Sequence, residues 1–409
     1  MASLVCPSLN DAFLKRLEAV SQRALGVSHV SGRRLVEAVQ RVSRAYTRER
    51  ADLEELAGDD EALAARLQFY LPRDLLKLYG PLAELESVGA LPSARSWKLL
   101  DLGAGLGTTS LGVARFAALR GAAERLVVNA IDRDPEALAI FAELARDVSE
   151  LPGVAIELTT READIGTPGF ARSSALAPPY DLICLGLALN ELDPGADEAS
   201  RAQRRLERAL ELSRLLAPDG ALVIVEPALR ATSRGLQQLR DAIVRRRAAP
   251  YVFAPCLTRE ACPLLARERD FCHERLPCEL PPALGAIAAS AGLRDRDLTY
   301  SYLTLRNDAR SLRELDASQR LFRAVSGQLT SKGKTEAWLC GETLFARAMR
   351  LDRQRSAANH AFEQAERGTI LAIETSEAPA PGALLRIRPH DRIESLQSWR
   401  SDSTRPSKS

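Results

Sequence analysis

The chain has 409 residues, more than the roughly 250–300 that one hydrophobic core usually supports, so we expect two or more domains. Hydrophobic residues make up 46% of the chain and charged residues 27%, which is typical of a globular protein. The formal net charge of +2 gives no strong nucleic-acid signal, and no apolar run approaches the roughly 18 residues of a membrane span.

The N-terminal part, residues 1–95, shows helical periodicity and predicts a helical domain. Leu35, Val39 and Val42 recur at helical spacing, and arginines crowd the other positions of the same segment. Such a basic face can contact RNA phosphates, although a solvated helix surface is the commoner explanation. The first residues contain no long apolar core of a secretory signal and match a transit peptide poorly, which favours a bacterial cytoplasmic location.

The segment 98–115, KLLDLGAGLGTTSLGVAR, predicts a strand, a glycine-rich turn and a helix. Gly103, Gly105 and Gly107 allow the backbone to turn sharply and to approach a ligand closely. The N-terminus of the following helix favours a polar or anionic group. With Asp101 two residues before the first glycine, the segment resembles the first motif of S-adenosylmethionine-dependent methyltransferases. The resemblance implies that the acid and the loop amides hold the methionine end of the cofactor.

A second strand and helix follow at residues 126–146, and the apolar strand closes on Asp132. An acid in this position can accept both ribose hydroxyls of a nucleoside cofactor, or it can cap the following helix. Asp164 follows a third predicted strand and lies where such methyltransferases often contact the adenine, although a loop-capping role explains it equally well. The alternation of strands and helices over residues 96–250 predicts an open, Rossmann-like α/β sheet.

The fourth predicted strand starts at Tyr180 and ends in Asn190 and Glu191, at the edge where open α/β sheets bind ligands. We predict that these two side chains are the catalytic candidates, orienting a methyl acceptor. The sequence contains neither the Asn-Pro-Pro-aromatic motif of base N-methyltransferases nor the cysteine nucleophile of cytosine C5 enzymes, since Cys184 lies inside the apolar strand. It therefore leaves open whether the protein is an enzyme or a pseudoenzyme.

The densest run of arginines lies in the segment 229–247, after a fifth predicted strand that ends at Glu226. A run of this kind is usually the solvated face of a helix. Its position beside a cofactor-binding sheet makes a contact with RNA an equally good interpretation.

Four cysteines follow within a short stretch that contains several prolines: Cys256, Cys262, Cys272 and Cys278. In a reducing compartment, clustered thiols bind metal more often than they form disulfides. The spacing is neither the C-x-x-C pair of zinc ribbons nor the regular ferredoxin run, so it does not identify the metal. The simplest local interpretation makes Cys278 the fourth ligand.

The segments DLGAGLGTTS, LNEL, VIVEP, SYLTLR and the cysteine-containing APC, CPL and FCH together resemble a methyltransferase-like family of the small ribosomal subunit. This family is known from mitochondria and has bacterial relatives, and the resemblance covers roughly residues 60–345. It implies a class I methyltransferase fold that binds the small subunit during assembly, and a four-iron, four-sulfur cluster. It also implies that Cys256, Cys262, Cys272 and Cys340 are the ligands and that Cys278 is an extra thiol.

The C-terminal half divides into three predicted parts. Residues 251–310 form a cysteine-rich, metal-binding insertion that completes the sheet. Residues 311–390 form a small β-rich domain, which either binds RNA or seals the cluster. Residues 391–409 are rich in Ser and Arg and predict a disordered tail.

Our leading hypothesis is an S-adenosylmethionine-binding iron–sulfur protein that acts on small-subunit ribosomal RNA or on assembly of the subunit. We expect no membrane or DNA partner. The first alternative is a non-catalytic assembly factor that uses the fold as an RNA-binding scaffold. The second is a zinc-containing small-molecule methyltransferase without a ribosomal partner.

Overall fold

The computed structural model consists of a helical N-terminal region, a mixed α/β sheet and a second, mostly antiparallel sheet. The structure describes residues 2–26, 30–47, 56, 58–146, 154–173, 176–294, 296–342, 345–375 and 384–400. The predicted tail beyond residue 400 lies outside these residues.

Helices cover most of the N-terminal region. They are α1 (Asp11–Leu25), α2 (Gly32–Thr47), α3 (Asp60–Ala65), α4 (Leu71–Asp74) and α5 (Tyr79–Ser87), with a π-helical turn at Arg66–Tyr70 and a 3₁₀ turn at Leu75–Leu78. The apolar stripe of α2 is buried, as its periodicity predicts. The prediction differs from the structure at Ala2–Val5, which form strand β1 of the second sheet. Four residues are too few to reveal the period of a strand.

The mixed sheet has the class I methyltransferase architecture that the sequence predicts. Its strands are β2 (Ser96–Leu102), β3 (Arg125–Asp132), β4 (Ala155–Glu162), β5 (Tyr180–Gly186), β6 (Leu216–Pro227), β7 (Tyr251–Ala254), β8 (Glu274–Pro277) and β9 (Asp297–Arg306). They are ordered β4-β3-β2-β5-β6-β9-β7, with β8 paired to β9. Neighbours from β4 to β6 are parallel, whereas β9 runs antiparallel to both β6 and β7.

Both faces of this sheet are covered by helices, because adjacent residues of a strand point to opposite faces. The helices of this region are α6 (Thr108–Arg120), α7 (Pro135–Arg146), α8 (Glu198–Ser213), α9 (Arg230–Arg246) and α10 (Pro282–Ser290). In β2, Leu99 packs in the core that contains α6, α7 and the N-terminal helices. Its neighbour Leu100 packs in the core that contains α8 and α9.

The second sheet contains strands from both ends of the chain. They are β1, β10 (Leu321–Ala324), β11 (Leu329–Ser331), β12 (Lys334–Gly341), β13 (Phe345–Leu351), β14 (Ile370–Glu374), β15 (Leu384–Ile387) and β16 (Arg392–Arg400). The prediction of disorder from residue 391 is wrong for β16, which pairs with β14 and β1. Its polar composition suggested a tail, but backbone hydrogen bonds to two neighbouring strands order it.

A buried arginine, Arg323, joins the two sheets to the N-terminal helices. Its guanidinium contacts Glu84 of α5 at 2.7 Å and Glu274 of β8 at 2.9 Å. It also donates to the carbonyl oxygen of Pro255 at 3.3 Å and to the Tyr302 hydroxyl at 3.2 Å. Because these four partners lie in different segments, one cation holds together elements that are distant in sequence.

Replacing Arg323 with Met should lower the free energy of unfolding by about 3–5 kcal/mol, because two buried carboxylates would lose their cation. The measurement is urea unfolding of the full chain. A matched control is Arg347→Met, in the same sheet, since Arg347 pairs with Glu336 at 2.6 Å but is 45% exposed. We expect the control to cost about 0–1 kcal/mol. Equal losses in the two variants would contradict the assigned role of Arg323.

Candidate functional site

The strand order reverses between β2 and β5, the position where open α/β sheets bind ligands beyond the carboxyl ends of their strands. The glycine loop follows β2 at this point, and its three glycines have φ angles of +70°, +49° and +82°. A Cβ at Gly103 would lie 2.5 Å from that of Ala188, and one at Gly107 would lie 2.1 Å from the Phe141 ring. At Gly105 the nearest atom would be an oxygen of Asp132, at 3.9 Å. Packing therefore excludes a side chain at Gly103 and Gly107, whereas there is open space beside Gly105.

Asp101 is fully buried under the first turn of α6. Its Oδ2 accepts hydrogen bonds from the Ser110 backbone N–H at 3.1 Å and from the Ser110 hydroxyl at 2.6 Å. Its Oδ1 is buried and has no hydrogen-bond partner among the described residues. Burial raises the pKa of Asp101 to about 7, against the opposing effect of the two Ser110 hydrogen bonds. The predicted cofactor acid thus also fixes the start of α6.

The raised pKa of Asp101 predicts how stability depends on pH. The folded state favours the protonated carboxyl. The contribution of Asp101 to the free energy of unfolding is therefore complete below the unfolded pKa near 3.8 and is lost as the pH rises through about 7. Compared with Asp101→Asn, the wild type should lose about 2–3 kcal/mol of unfolding free energy between about pH 5 and pH 8. Urea unfolding at both pH values measures this difference. Identical pH slopes for the two proteins would contradict it.

Asp132 links the glycine loop to the end of β3. Its Oδ2 accepts from the Gly105 N–H at 2.8 Å and its Oδ1 from the Asp134 N–H at 2.9 Å. The side chain is half-buried, so it is accessible beside the loop. Asp164 is exposed and accepts from the Gly166 N–H at 2.7 Å, which closes a local turn. Asp132 is therefore hydrogen-bonded to the glycine loop, whereas the observed contact of Asp164 stabilises a turn of its own segment.

Asn190 and Glu191 lie in a 3₁₀ turn, Leu189–Glu191, directly after β5. The Asn190 side chain donates to the carbonyl oxygen of Leu187 at 3.0 Å, and its backbone N–H lies 3.3 Å from an oxygen of Glu226. Glu226 is buried at the end of β6. No role was predicted for Glu226 from the sequence, although an acid at a strand end is the same signal that indicated Asp132.

The helical N-terminal region covers this side of the sheet with a buried ion pair. Lys77 contacts Asp74 at 2.9 Å, and both side chains are buried. Burial lowers the pKa of Lys77, and the negative charges of Asp74 and Glu226 oppose that effect. Buried charges of both signs therefore lie near the turn after β5.

A cavity of about 520 Å³ lies next to the loop, on the α8 side of the sheet. Leu102, Leu185 and residues 165–172 line it, and its size is within the range of small-molecule sites. Arg208 at its rim pairs with Asp193 at 2.9 Å. A cavity of about 590 Å³ in the second sheet, around residues 390–394, is larger but has no glycine loop or parallel strand ends beside it.

A second candidate centre is formed by four cysteines that line one cavity of about 40 Å³: Cys256, Cys262, Cys272 and Cys340. The first three lie after β7 and in the loop before β8, whereas Cys340 belongs to β12 of the other sheet. Cys278 instead lies in the main core and is 2% exposed. In the described part of the chain, no group of three or more His, Cys, Asp or Glu side chains has an arrangement that could hold a metal ion.

Burial controls the charge state of these thiols. It raises the pKa of Cys256 and of Cys272, and ionisation of a neighbouring cysteine would raise each pKa further. Burial likewise raises the pKa of Cys340. Four thiolates cannot share such a site without a compensating cation.

Helix α9 holds the cysteine loop through one polar face. Asp241 accepts from the Cys262 N–H at 3.0 Å, and Gln237 accepts from the Cys272 N–H at 3.3 Å. Arg234 donates to three carbonyl groups of the loop, and Arg240 donates to two more. The interpretation of this helix as an RNA-binding face is therefore wrong for Arg234 and Arg240, which point into the protein.

These contacts were not predicted, although the sequence contains a signal for them. Ser233, Gln237 and Asp241 recur every four residues, and Arg240 follows Gln237 by three, which places all of them on one side of a helix. A polar stripe on a helix that directly precedes a cysteine cluster indicates contacts within the protein.

A family model described as the mitochondrial small ribosomal subunit protein Rsm22 matches residues 82–366. The match includes the glycine loop, the α9 face and all four cysteines of the cavity. No curated protein matches this chain. In the described residues, no helix is both long and apolar enough to cross a membrane.

Several solved methyltransferase structures are similar in fold. A putative class I S-adenosylmethionine-dependent methyltransferase from Listeria monocytogenes is 12% identical, with 74% of this chain and 91% of that chain covered and a TM-score of 0.33. The precorrin-6y C5,15-methyltransferase of Geobacter metallireducens is 13% identical, with 55% and 87% covered and a TM-score of 0.30. These scores are low, so the fold assignment rests on the strand order.

Proposed function

We propose, since this chain belongs to the Rsm22 family of the mitochondrial small ribosomal subunit, that it is an S-adenosylmethionine-binding iron–sulfur protein of the small subunit. The observation that carries the proposal is the convergence of four cysteines on one cavity beside the mixed sheet, three from the loop between β7 and β8 and one from β12 of the second sheet. In this proposal the protein acts on small-subunit RNA or on assembly of the subunit.

The cofactor site consists of the glycine loop and the acids around it. The unpaired, buried Oδ1 of Asp101 suits the amino group of the cofactor, and the half-buried Asp132 suits the ribose hydroxyls. Gly103 and Gly107 shape the loop, and Gly105 leaves space for close approach of a ligand. Asp164 remains the proposed adenine contact. S-adenosylmethionine supplies an activated methyl group at such a site.

The acceptor side consists of the turn after β5. Asn190 and Glu191 orient the acceptor, and Glu226 supports the turn through its contact with the Asn190 backbone. The N-terminal helices limit the access of water to this side, because Lys77 and Asp74 are buried there. Catalysis would then depend on alignment of donor and acceptor, not on a nucleophilic side chain.

Methyl-donor binding and methyl transfer test the first part of the proposal. We expect labelled S-adenosylmethionine to bind the purified protein and its methyl group to be transferred to immature small ribosomal subunits. Binding without transfer would favour the non-catalytic assembly factor instead. The absence of binding would refute the roles of Asp101 and Asp132.

Gly105→Ala provides a specific variant for this binding test. The new methyl group would meet no protein atom closer than 3.9 Å, so the expected stability cost is only the roughly 1 kcal/mol of a positive φ angle. Cofactor affinity should fall at least about tenfold, because the ligand approaches this backbone closely. The control is Gly121→Ala, which also has a positive φ, of +58°, with no atom within 4 Å, and lies at the far end of α6. Unchanged affinity in Gly105→Ala would contradict the assigned cofactor site.

The cysteine cavity has the donor set of a thiolate-bound metal centre, although the described side chains are not arranged to hold a metal ion in the structure as it stands. Four sulfur donors are typical of iron–sulfur clusters and of zinc sites, and we assign a four-iron, four-sulfur cluster on the family resemblance. The ligands in this proposal are Cys256, Cys262, Cys272 and Cys340, each of which loses its proton when the cluster binds. The core position of Cys278 supports Cys340 as the fourth ligand. A bound cluster would be held by the loop between β7 and β8 together with β12, and would link these two segments through its cysteine ligands.

Two serine variants test this ligand set. Cys340→Ser should lose the iron and sulfide of anaerobically purified protein, because one of four ligands is removed. Cys278→Ser should retain both, because Cys278 lies outside the cavity. Absorption spectra with iron, sulfide and zinc analysis provide the measurement. The reverse pattern would make Cys278 the ligand, and a colourless, zinc-loaded wild type would favour the zinc-containing methyltransferase.

Contact with ribosomal RNA is proposed for the exposed end of α9. Arg245, Arg246 and Arg247 are exposed there, unlike Arg240 of the same helix. Arginines in such a cluster suit phosphate groups.

We also propose a bacterial cytoplasmic location, which agrees with seven free cysteines and a reducing compartment.

A further inference from the structure

Gln237 is a buried glutamine on the inner face of α9, between two of the cysteines that line the cavity. It is 6% exposed. Its Nε2 lies 3.1 Å from the sulfur of Cys262, and its Oε1 lies 3.3 Å from the backbone nitrogen of Cys272. One side chain therefore spans both ends of the loop between these cysteines.

The orientation of the Gln237 amide follows from its two contacts. The backbone N–H of Cys272 can only donate a hydrogen bond, so it must face the amide oxygen. The NH₂ group must then face Cys262, where it donates to the sulfur. A thiolate is a better acceptor than a thiol, so this contact becomes stronger when Cys262 carries a metal centre.

The sulfur contact is not needed to hold the ends of the loop. Asp241 already accepts from the Cys262 N–H with both oxygens, each at 3.0 Å. The Ser301 hydroxyl donates to the carbonyl oxygen of Cys272 at 3.0 Å. Ser301 is in turn fixed by Ser233 of α9, with 2.6 Å between the hydroxyl oxygens. The backbone positions of both cysteines thus have other restraints, and the N–H group of Gln237 is left to act on the sulfur.

We propose that Gln237 is a positioning residue that donates a hydrogen bond to the Cys262 sulfur of the bound cluster and thereby raises its reduction potential and slows its loss. The inference rests on the proposed iron–sulfur site. A cluster gains negative charge when it takes up an electron, and a hydrogen-bond donor at a ligand sulfur stabilises that charge. Outer-shell hydrogen bonds of this kind typically change metal affinity 10–100-fold.

Two substitutions separate the sulfur contact from the backbone contact. Gln237→Glu, measured over a pH series that brings its carboxyl to the ionised form, keeps an oxygen that can accept from the Cys272 N–H but then has no proton to donate. Gln237→Leu removes both contacts. The matched control is Gln238→Leu, the neighbouring residue of the same type, which does not line the cysteine cavity.

The measurements use the full chain, purified without oxygen. Iron and sulfide content and the visible spectrum report whether the cluster is present. Titration with dithionite, which supplies the electron, gives the midpoint potential. The rate of iron release to an added chelator gives the retention of the cluster.

We expect Gln237→Glu and Gln237→Leu to shift the midpoint potential to more negative values and to release iron about tenfold faster than the wild type. Gln238→Leu should match the wild type in both. Wild-type potentials in both Gln237 variants, with the cluster present, would overturn the role of Gln237 and leave the iron–sulfur proposal intact. Loss of the cluster in Gln237→Leu with wild-type behaviour in Gln237→Glu would also overturn it, since only the backbone contact would then matter. A wild type without iron and sulfide would overturn the iron–sulfur proposal and this inference together.

Discussion

The buried charge of Arg323 is the constraint on which the arrangement of this protein depends. Its guanidinium is 3% exposed and lies between carboxylates of α5 and β8, so the N-terminal helices, the mixed sheet and the second sheet must all be in place to neutralise it. Arg323 is also the strand partner of Cys340 and donates to the carbonyl of Pro255, directly before Cys256. The cation that joins the domains therefore also sets where two of the cavity cysteines lie.

The two candidate centres share structural elements. β6 ends in Glu226, which contacts the turn after β5, and the chain continues directly into α9. The inner face of α9 then holds the cysteine loop through Gln237 and Asp241. β6 and α9 thus contact the turn after β5 at one end and the cysteine loop further along the chain. A metal centre would consequently stabilise the helix that follows the acceptor site.

Several arginines of this chain are buried inside the protein and do not form a basic surface. Arg240, Arg306 and Arg350 are among its largest fully buried side chains. Each of them donates to carboxylate or carbonyl oxygens, because the planar guanidinium has several donors in a fixed geometry. Composition alone assigns such residues to a basic surface. In α9, exposed arginines lie at the two ends of the helix, at Arg230 and in the cluster Arg245–Arg247.

Features that depend on neighbouring residues were predictable from the sequence: the glycine loop after β2, the acid at Asp132, and the alternation that produces the mixed sheet. Which thiols come together depends on the packing of distant segments. Cys278 is near the other cysteines in sequence, yet its side chain lies in the core, whereas Cys340 reaches the cavity through the pairing of β12 with β10. Local patterns specify turns and periodicity, but contacts between distant segments depend on how whole elements pack.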